Sequence, residues 1–164
     1  DLVGYVRLVH YSAQRRFPWQ LHCRELFPDV TLPDGASSAE VSRLMVRRDY
    51  RRRKSDLIAG IATAQHLGQD DGGERRRRSP EIMLSLYRRL YQHSMPIGIR
   101  YWYAAMERPL ARALQAMGFT FRQIGNEIDY YGPVAPYLTD LKELETALAR
   151  RNPQLLNWMQ STPR

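Results

Sequence analysis

The chain has 164 residues, enough for one domain with a sizeable core, and 43% of them are hydrophobic, which excludes a disordered protein. It carries 25 Lys and Arg against 17 Asp and Glu, a formal net charge of +8 at pH 7, so an acidic partner is expected. No run approaches the roughly 20 apolar residues of a membrane span, no secretory signal pattern is visible, and the single cysteine, Cys23, excludes an internal disulfide; together these predict a cytoplasmic protein.

In chain order, residues 3–9 predict a strand that is apolar on both faces and therefore interior to a sheet. A short strand is expected at 19–23, within the mixed stretch 17–27. Residues 29–38, with Pro, Gly, Asp and Ser, read as a loop. The next strand, 40–46, is apolar-rich yet holds Glu40, Ser42 and Arg43, and it runs into the cationic turn Arg47-Arg48-Asp49-Tyr50-Arg51-Arg52-Arg53. A carboxylate and a cation in a strand that otherwise reads as buried are costly unless paired or used. Residues 56–62 leave a short helix and a strand open, and 69–78 read as a solvated loop.

Ser79 is expected to cap a long helix, with Pro80 in its first position and Glu81 facing its positive end. Met83, Leu86, Tyr87, Leu90 and Tyr91 recur at helical spacing as one buried stripe, and Met95-Pro96-Ile97-Gly98 ends it. Residues 99–106 are an aromatic-rich strand. Pro109 opens a second helix with Leu110, Leu114 and Met117 on one face and Gly118 as its C-cap. A strand is expected at 119–124, with another candidate at 128–131. Residues 140–151 form a helix with Leu141, Leu144 and Leu148 inward and Asp140/Glu143 spaced as a capping box; a last short helix carries Leu155, Leu156 and Met159. The order predicts an α/β (α+β) single domain, a mixed central sheet flanked by helices. The sequence has no G-x-G-x-x-G or P-loop, so dinucleotide and NTP folds lose support.

Alternate side chains of a strand share a face, so Glu40 and Ser42 point one way and Arg43 the other. Burial would raise the pKa of Glu40 toward working pH, which makes it the candidate general base; a structural Glu40–Arg43 pair is the competing reading. The Arg-rich turn suits the phosphates of a cofactor or an acidic carrier protein. His22 and Cys23 are neighbours that face apart in a strand, a poor nucleophile–base pair. His10, His66 and His93 show no metal-ligand spacing, so no metal is expected. The arginines come in blocks (51–53, 75–78) without interleaved aromatics or a zinc-finger pattern. A nucleic-acid-binding module is therefore the weaker alternative.

Taken together, strand 40–46, the turn after it, strand 99–106 and Arg108-Pro109-Leu110-Ala111-Arg112-Ala113-Leu114-Gln115-Ala116-Met117-Gly118-Phe119 resemble the core of GNAT-type N-acyltransferases. Asp1-x-x-Gly4-x-x-Arg7-Leu8 and Glu40-x-Ser42-Arg43 are similar to acyl-homoserine-lactone synthases. The run Ile124-Gly125-Asn126-Glu127-Ile128-Asp129-Tyr130-Tyr131-Gly132-Pro133-Val134-Ala135-Pro136-Tyr137 looks like exosortase-associated (PEP-CTERM) acyltransferases and N-acyl amino acid synthases. The resemblance covers most of residues 1–137. It implies one acyltransferase domain over 1–164, with a C-terminal helical extension from about 139 and the first elements of the fold missing. Strands 40–46 and 99–106 are expected to lie side by side and splay apart at one end around a thioester.

The implied donor is an acyl-phosphopantetheine thioester on acyl carrier protein or CoA. Arginines stand where the acetyl-CoA-binding turn of the family has glycines, which favours the carrier protein. Glu40, Ser42 and Arg43 are the implied catalytic residues, with Arg43 orienting the surroundings of Glu40 or binding an acceptor carboxylate. Met45, Val46, Arg47, Arg51, Arg52 and Arg53 are implied to bind the donor, with a backbone N–H near Met45 or Val46 receiving the oxyanion. Tyr101, Tyr103 and Tyr130 would line an acyl pocket or, with Tyr131, protonate the leaving thiolate; core packing is the competing reading. The expected activity is transfer of a medium- or long-chain acyl group to the amine of an amino acid or similar small acceptor. The alternative enzyme is an acyl-homoserine-lactone synthase using S-adenosylmethionine.

Overall fold

The computed structural model describes residues 2–46 and 79–161. The expectations for 47–78, including those for Arg47, Arg51, Arg52 and Arg53, lie outside these residues. Strand β1 (Gly4–His10) leads through helix α1 (Pro18–His22) and a 3₁₀ turn (Gly35–Ser37) to β2 (Ser38–Val46). Helix α2 (Ser79–Ser94), β3 (Tyr101–Met106), α3 (Arg108–Ala116), β4 (Arg122–Gln123), β5 (Ile128–Asp129), β6 (Pro133–Asp140), α4 (Leu141–Arg151) and α5 (Pro153–Gln160) follow. The strands form one mixed sheet in the order β1-β2-β3-β6-β4, with β5 also paired to β6. β2 and β3 run parallel and the other pairs antiparallel.

Each face of this sheet carries its own apolar cluster. Trp102 and Tyr103 are adjacent on β3 and go to opposite sides, as strand alternation requires. Trp102 joins the main core with Tyr87, Leu114, Phe121, Leu144 and Leu148 beneath the longer helices. Its indole donates to Ser94 Oγ at 2.9 Å, which satisfies a buried polar pair. Tyr103 joins a smaller cluster with Phe17, Trp19, Cys23, Ile124 and Leu138. The α2 stripe buries Met83, Tyr87, Leu90 and Tyr91, with Leu86 half-buried. Gly118 ends α3's turn at φ +101°, and a Cβ there would lie 2.8 Å from Leu148, so both backbone and space require glycine. Asp140 caps α4 by accepting the Lys142 N–H at 2.9 Å and also accepts a short bond from Arg100, at 2.6 Å.

Four local expectations need correction. β1 is at the edge of the described sheet, and its residues are at most half-buried. One of its faces packs Val6 and Leu8 on the main core, while the other carries Arg7 and Val9. Residues 18–22 are a helix: Pro18 sits in its first turn, where the missing N–H costs nothing, and Gln20 Oε1 accepts the Phe17 N–H at 3.0 Å. Trp19 and Cys23, four apart, then share its buried side. The strand expected at 119–124 is reduced to Arg122–Gln123. The long strand β6 was not expected, although it separates β3 from β4.

Candidate active site

β2 and β3 pair in parallel over three positions only, Ser38↔Tyr101, Ala39↔Trp102 and Glu40↔Tyr103. Beyond them β2 stays with β1 as far as Val46, and β3 stays with β6 as far as Met106. The two strands therefore part just past Glu40, as the family resemblance implied.

The departing end of β2 is also bulged. Tyr5 pairs with Met45 and Arg7 with Ser42, so Arg43 and Leu44 together oppose Val6. Arg43 has φ +56°, the left-handed region that side chains with a Cβ rarely occupy. The bulge changes the expected facing. Val41 and Leu44, which strict alternation would send to opposite sides, both pack on the main core. Arg43 is left exposed. Arg43→Gly is expected to raise stability by up to about 1 kcal/mol through relief of this strain, read as a higher urea midpoint at unchanged slope. An unchanged or lower midpoint would show that contacts of the Arg43 side chain outweigh it.

Glu40 is 4% exposed, on the face of the smaller cluster. Its Oε2 accepts the backbone N–H of Trp19 at 3.0 Å. Burial raises its pKa from 4.5 to about 7, against the opposing effects of the Trp19 N–H and the nearby Arg7 charge. The cation that comes to Glu40 is thus Arg7 of β1. The Arg7 Nη2 donates to Ser42 Oγ at 2.9 Å across the strand pair, which fixes the hydroxyl on the Glu40 side. Burial, and secondarily the Glu40 charge, push the Cys23 thiol up, which makes it an inert neighbour.

Of the three tyrosines, Tyr103 is in this site. It opposes Glu40 on β3 and stacks on Trp19 at 4.9 Å. Burial pushes its phenol up to about 12, against a hydrogen bond with Ser38. Tyr101 is half-buried two residues earlier on the same strand, with Arg100 lying over its ring at 5.1 Å. Tyr130 is at the β5–β6 turn, exposed and stacked on His22 at 3.8 Å, while Tyr131 is 98% exposed. Met45 is exposed and Val46 half-buried at the parted end of β2.

Two members of the site were not singled out for chemistry from the sequence, Arg7 and the Trp19 N–H. The signal for Arg7 was the one that marked Glu40, a charge in an apolar strand. An open surface hollow of about 400 Å³ along α4, with Arg100 and Arg150 among its walls, shares no residue with the Glu40 site. Among the described residues, no group of three or more His, Cys, Asp or Glu is placed to hold a metal ion, and no helix is long and apolar enough to cross a membrane.

No protein-family model and no curated protein matches the sequence. Solved structures do match the fold. BjaI, a CoA-dependent acyl-homoserine lactone synthase solved with SAM and isopentyl-CoA, is 19% identical with a TM-score of 0.58 over 92% of this chain and 59% of its own. FeeM, an N-acyl amino acid synthase from uncultured soil microbes, is 16% identical with a TM-score of 0.55, over 92% of this chain and 70% of its own. MesI, another CoA-dependent acyl-homoserine lactone synthase, is 19% identical with a TM-score of 0.50, over 90% of this chain and 62% of its own. The chain thus spans about three fifths of the two lactone synthases. Its fold is that of these synthases.

Proposed function

We propose that this chain, having the fold of acyl-homoserine lactone and N-acyl amino acid synthases, is the acyltransferase domain of an enzyme that forms amides from acyl-phosphopantetheine thioesters. The observation that carries the reading is a buried carboxylate, Glu40, held at the point where β2 and β3 part. A base with a pKa of about 7 is well matched to taking a proton from an amine at neutral pH.

In the reaction the acceptor amine gives a proton to Glu40, and its nitrogen attacks the thioester carbonyl. The carbonyl oxygen takes the negative charge, facing a backbone N–H at the bulged end of β2 near Met45 or Val46. The C–S bond then breaks, and the thiolate recovers a proton by way of Glu40 or a tyrosine such as Tyr103. Ser42, whose hydroxyl accepts from Arg7, orients the amine in this reading. Acyl carrier protein is the proposed donor in preference to CoA, with Arg47, Arg51, Arg52 and Arg53 meeting its acidic surface and a medium- or long-chain acyl group lying along Tyr101 and Tyr130. A small amino acid is the proposed acceptor. S-adenosylmethionine, with lactone formation, is the second reading, favoured by the fold likeness to BjaI and MesI.

The test is mass spectrometry of products formed by the purified full-length protein from acyl-carrier-protein or acyl-CoA, with amino acids or S-adenosylmethionine. An N-acyl amino acid released with one equivalent of free thiol is expected. A homoserine lactone with methylthioadenosine would establish the second reading, and no acyl product from any pair would overturn both. Arg51→Glu with Arg53→Glu should raise KM for the acyl carrier protein and flatten its salt dependence, with little change in rate at saturation. Equal loss with a small acyl-pantetheine donor would mean that these arginines serve the pocket or the fold instead.

A further inference from the structure

We propose that His22 and Tyr130 are positioning residues, and that through their stacked rings the hairpin between β5 and β6 holds α1 over Glu40. The part this plays in acyl transfer rests on the function proposed above; the contact itself does not. Helix α1 reaches across three neighbouring strands. On β2, Glu40 Oε2 accepts the Trp19 N–H at 3.0 Å. On β3, the Tyr103 ring stacks on the Trp19 ring at 4.9 Å. Beyond β3, the hairpin rooted in β6 brings the Tyr130 ring onto His22 at 3.8 Å, 24° from parallel. The first two contacts both belong to Trp19, and Cys23 adds one small side chain to the same buried side. The third is made by the last residue of α1, on its exposed side, and stops the helix from pivoting about Trp19.

The hairpin is braced to present that ring. The pairs Ile128↔Val134 and Asp129↔Pro133 fix its stem on β6. At the tip the Tyr130 N–H donates to the Gly132 carbonyl at 2.9 Å, and Asp129 Oδ1 accepts the Gly132 N–H at 3.2 Å. Tyr131 turns the chain at φ +53°, in the left-handed region that side chains with a Cβ rarely occupy, and Gly132 follows at φ +123°. The Tyr131 side chain is almost wholly in solvent, yet its ring meets Tyr130 edge-on at 5.0 Å. Strain of this kind persists where the surrounding structure enforces it, and here it accompanies a ring held between two others. Bonds from residues 25–27 to residues 124–126 hold the chain that follows α1, and none of them reaches Trp19. Loss of the His22–Tyr130 stack therefore frees the far end of α1 to lift, which carries Trp19 off the carboxylate.

Cys23, the chain's single cysteine, reports on this with no substrate present. It is buried on the inner side of α1, so a thiol reagent reaches it when the helix lifts. Iodoacetamide labelling of the unaltered chain is compared with that of His22→Ala and His22→Phe, each without urea and in low urea. His22 is varied because Tyr130 is also proposed to meet the acyl group. His22→Ala should label roughly twofold to tenfold faster, the worth of one aromatic pair. His22→Phe keeps a flat ring and should label at the original rate. The rates should change little in low urea, because lifting five residues exposes little surface. Equal rates in all three proteins overturn the proposal, and so does a rise that Phe fails to reverse. Labelling that climbs steeply with urea overturns it too, since Cys23 is then reached only when the whole chain unfolds.

Turnover supplies the second readout. His22→Ala should lower kcat by up to the same factor with KM for the donor unchanged, and His22→Phe should restore it. A variant that labels faster at unaltered kcat overturns the positioning role. Faster labelling that Phe reverses, in a chain that forms no amide from any donor, supports the hold on α1 and removes the transferase reading in its place.

Discussion

Glu40→Gln is expected to lower acyl transfer by roughly a hundredfold or more while leaving donor binding in place. Gln keeps the shape and can still accept the Trp19 N–H that now reaches Oε2, but it takes up no proton from the amine. In the unaltered protein kcat/KM should rise with pH through about 7 as Glu40 loses its proton, and the variant should lack that limb. The same substitution should stabilise the fold. Burial raises the folded-state pKa of Glu40 above its unfolded value, so the folded form binds the extra proton between about pH 4.5 and 7. Its contribution is fully present below 4.5 and is lost as pH rises through about 7. Above that range the buried charge costs on the order of 3 kcal/mol, which the neutral Gln avoids. Urea unfolding should therefore show the variant as the more stable protein at pH 8 and the two as equal at pH 4. Near-normal turnover in the variant would return Glu40 to a structural role.

Deletion of Arg43 is the second substitution with a large expected effect, and it should separate folding from function. Removal of the extra residue leaves Leu44 alone opposite Val6, so β1 and β2 close into a regular ladder. The facing of side chains survives, because Val41 and Leu44 become true alternates on the core side. Stability should hold or rise, since the left-handed residue is gone. Transfer should nevertheless fall by roughly a hundredfold, the usual loss when a backbone donor no longer faces the oxyanion. The check is denaturation alongside single-turnover rates. A deletion that folds and turns over normally would show that the bulge has no part in the chemistry.

The parts of the fold that could be read in the sequence are those with a long repeat or a strong stop. Helix α2 announced itself by five apolar residues at helical spacing, and β2 and β3 by apolar runs between turn residues. Strand β6 was hidden because Pro133 and Pro136 argue against a strand. The sheet tolerates them: Pro133 is the first residue of β6, and Pro136, set against Ala105 of β3, still accepts the Ile124 N–H at 2.9 Å. Helix α1, five residues long, is too short for periodicity to register.

The site divides in the same way. Glu40 could be found because a carboxylate in an apolar strand is expensive, and its position opposite Tyr103 follows from the strand pairing. Its partners could not. The Arg7–Ser42 bond spans 35 residues and the Trp19–Glu40 bond 21, and both depend on which strands become neighbours. The exposure of Arg43 could not be read because a bulge breaks the two-residue repeat, and Arg stands where a glycine would have marked the turn.

The shortness of α1 has a consequence for the base. A five-residue helix has little stability of its own, so it stays folded because Trp19 and Cys23 are packed against the sheet. Segments held in this way open without the rest of the molecule, and their amide hydrogens exchange ahead of those in the main core. Each opening takes the Trp19 N–H away from Glu40 and lets water reach the carboxylate. Burial is the larger influence on its proton affinity, so the exposed group returns toward an ordinary glutamate, too acidic to take a proton efficiently at neutral pH. The strength of the base is thus a property of the docked state of α1.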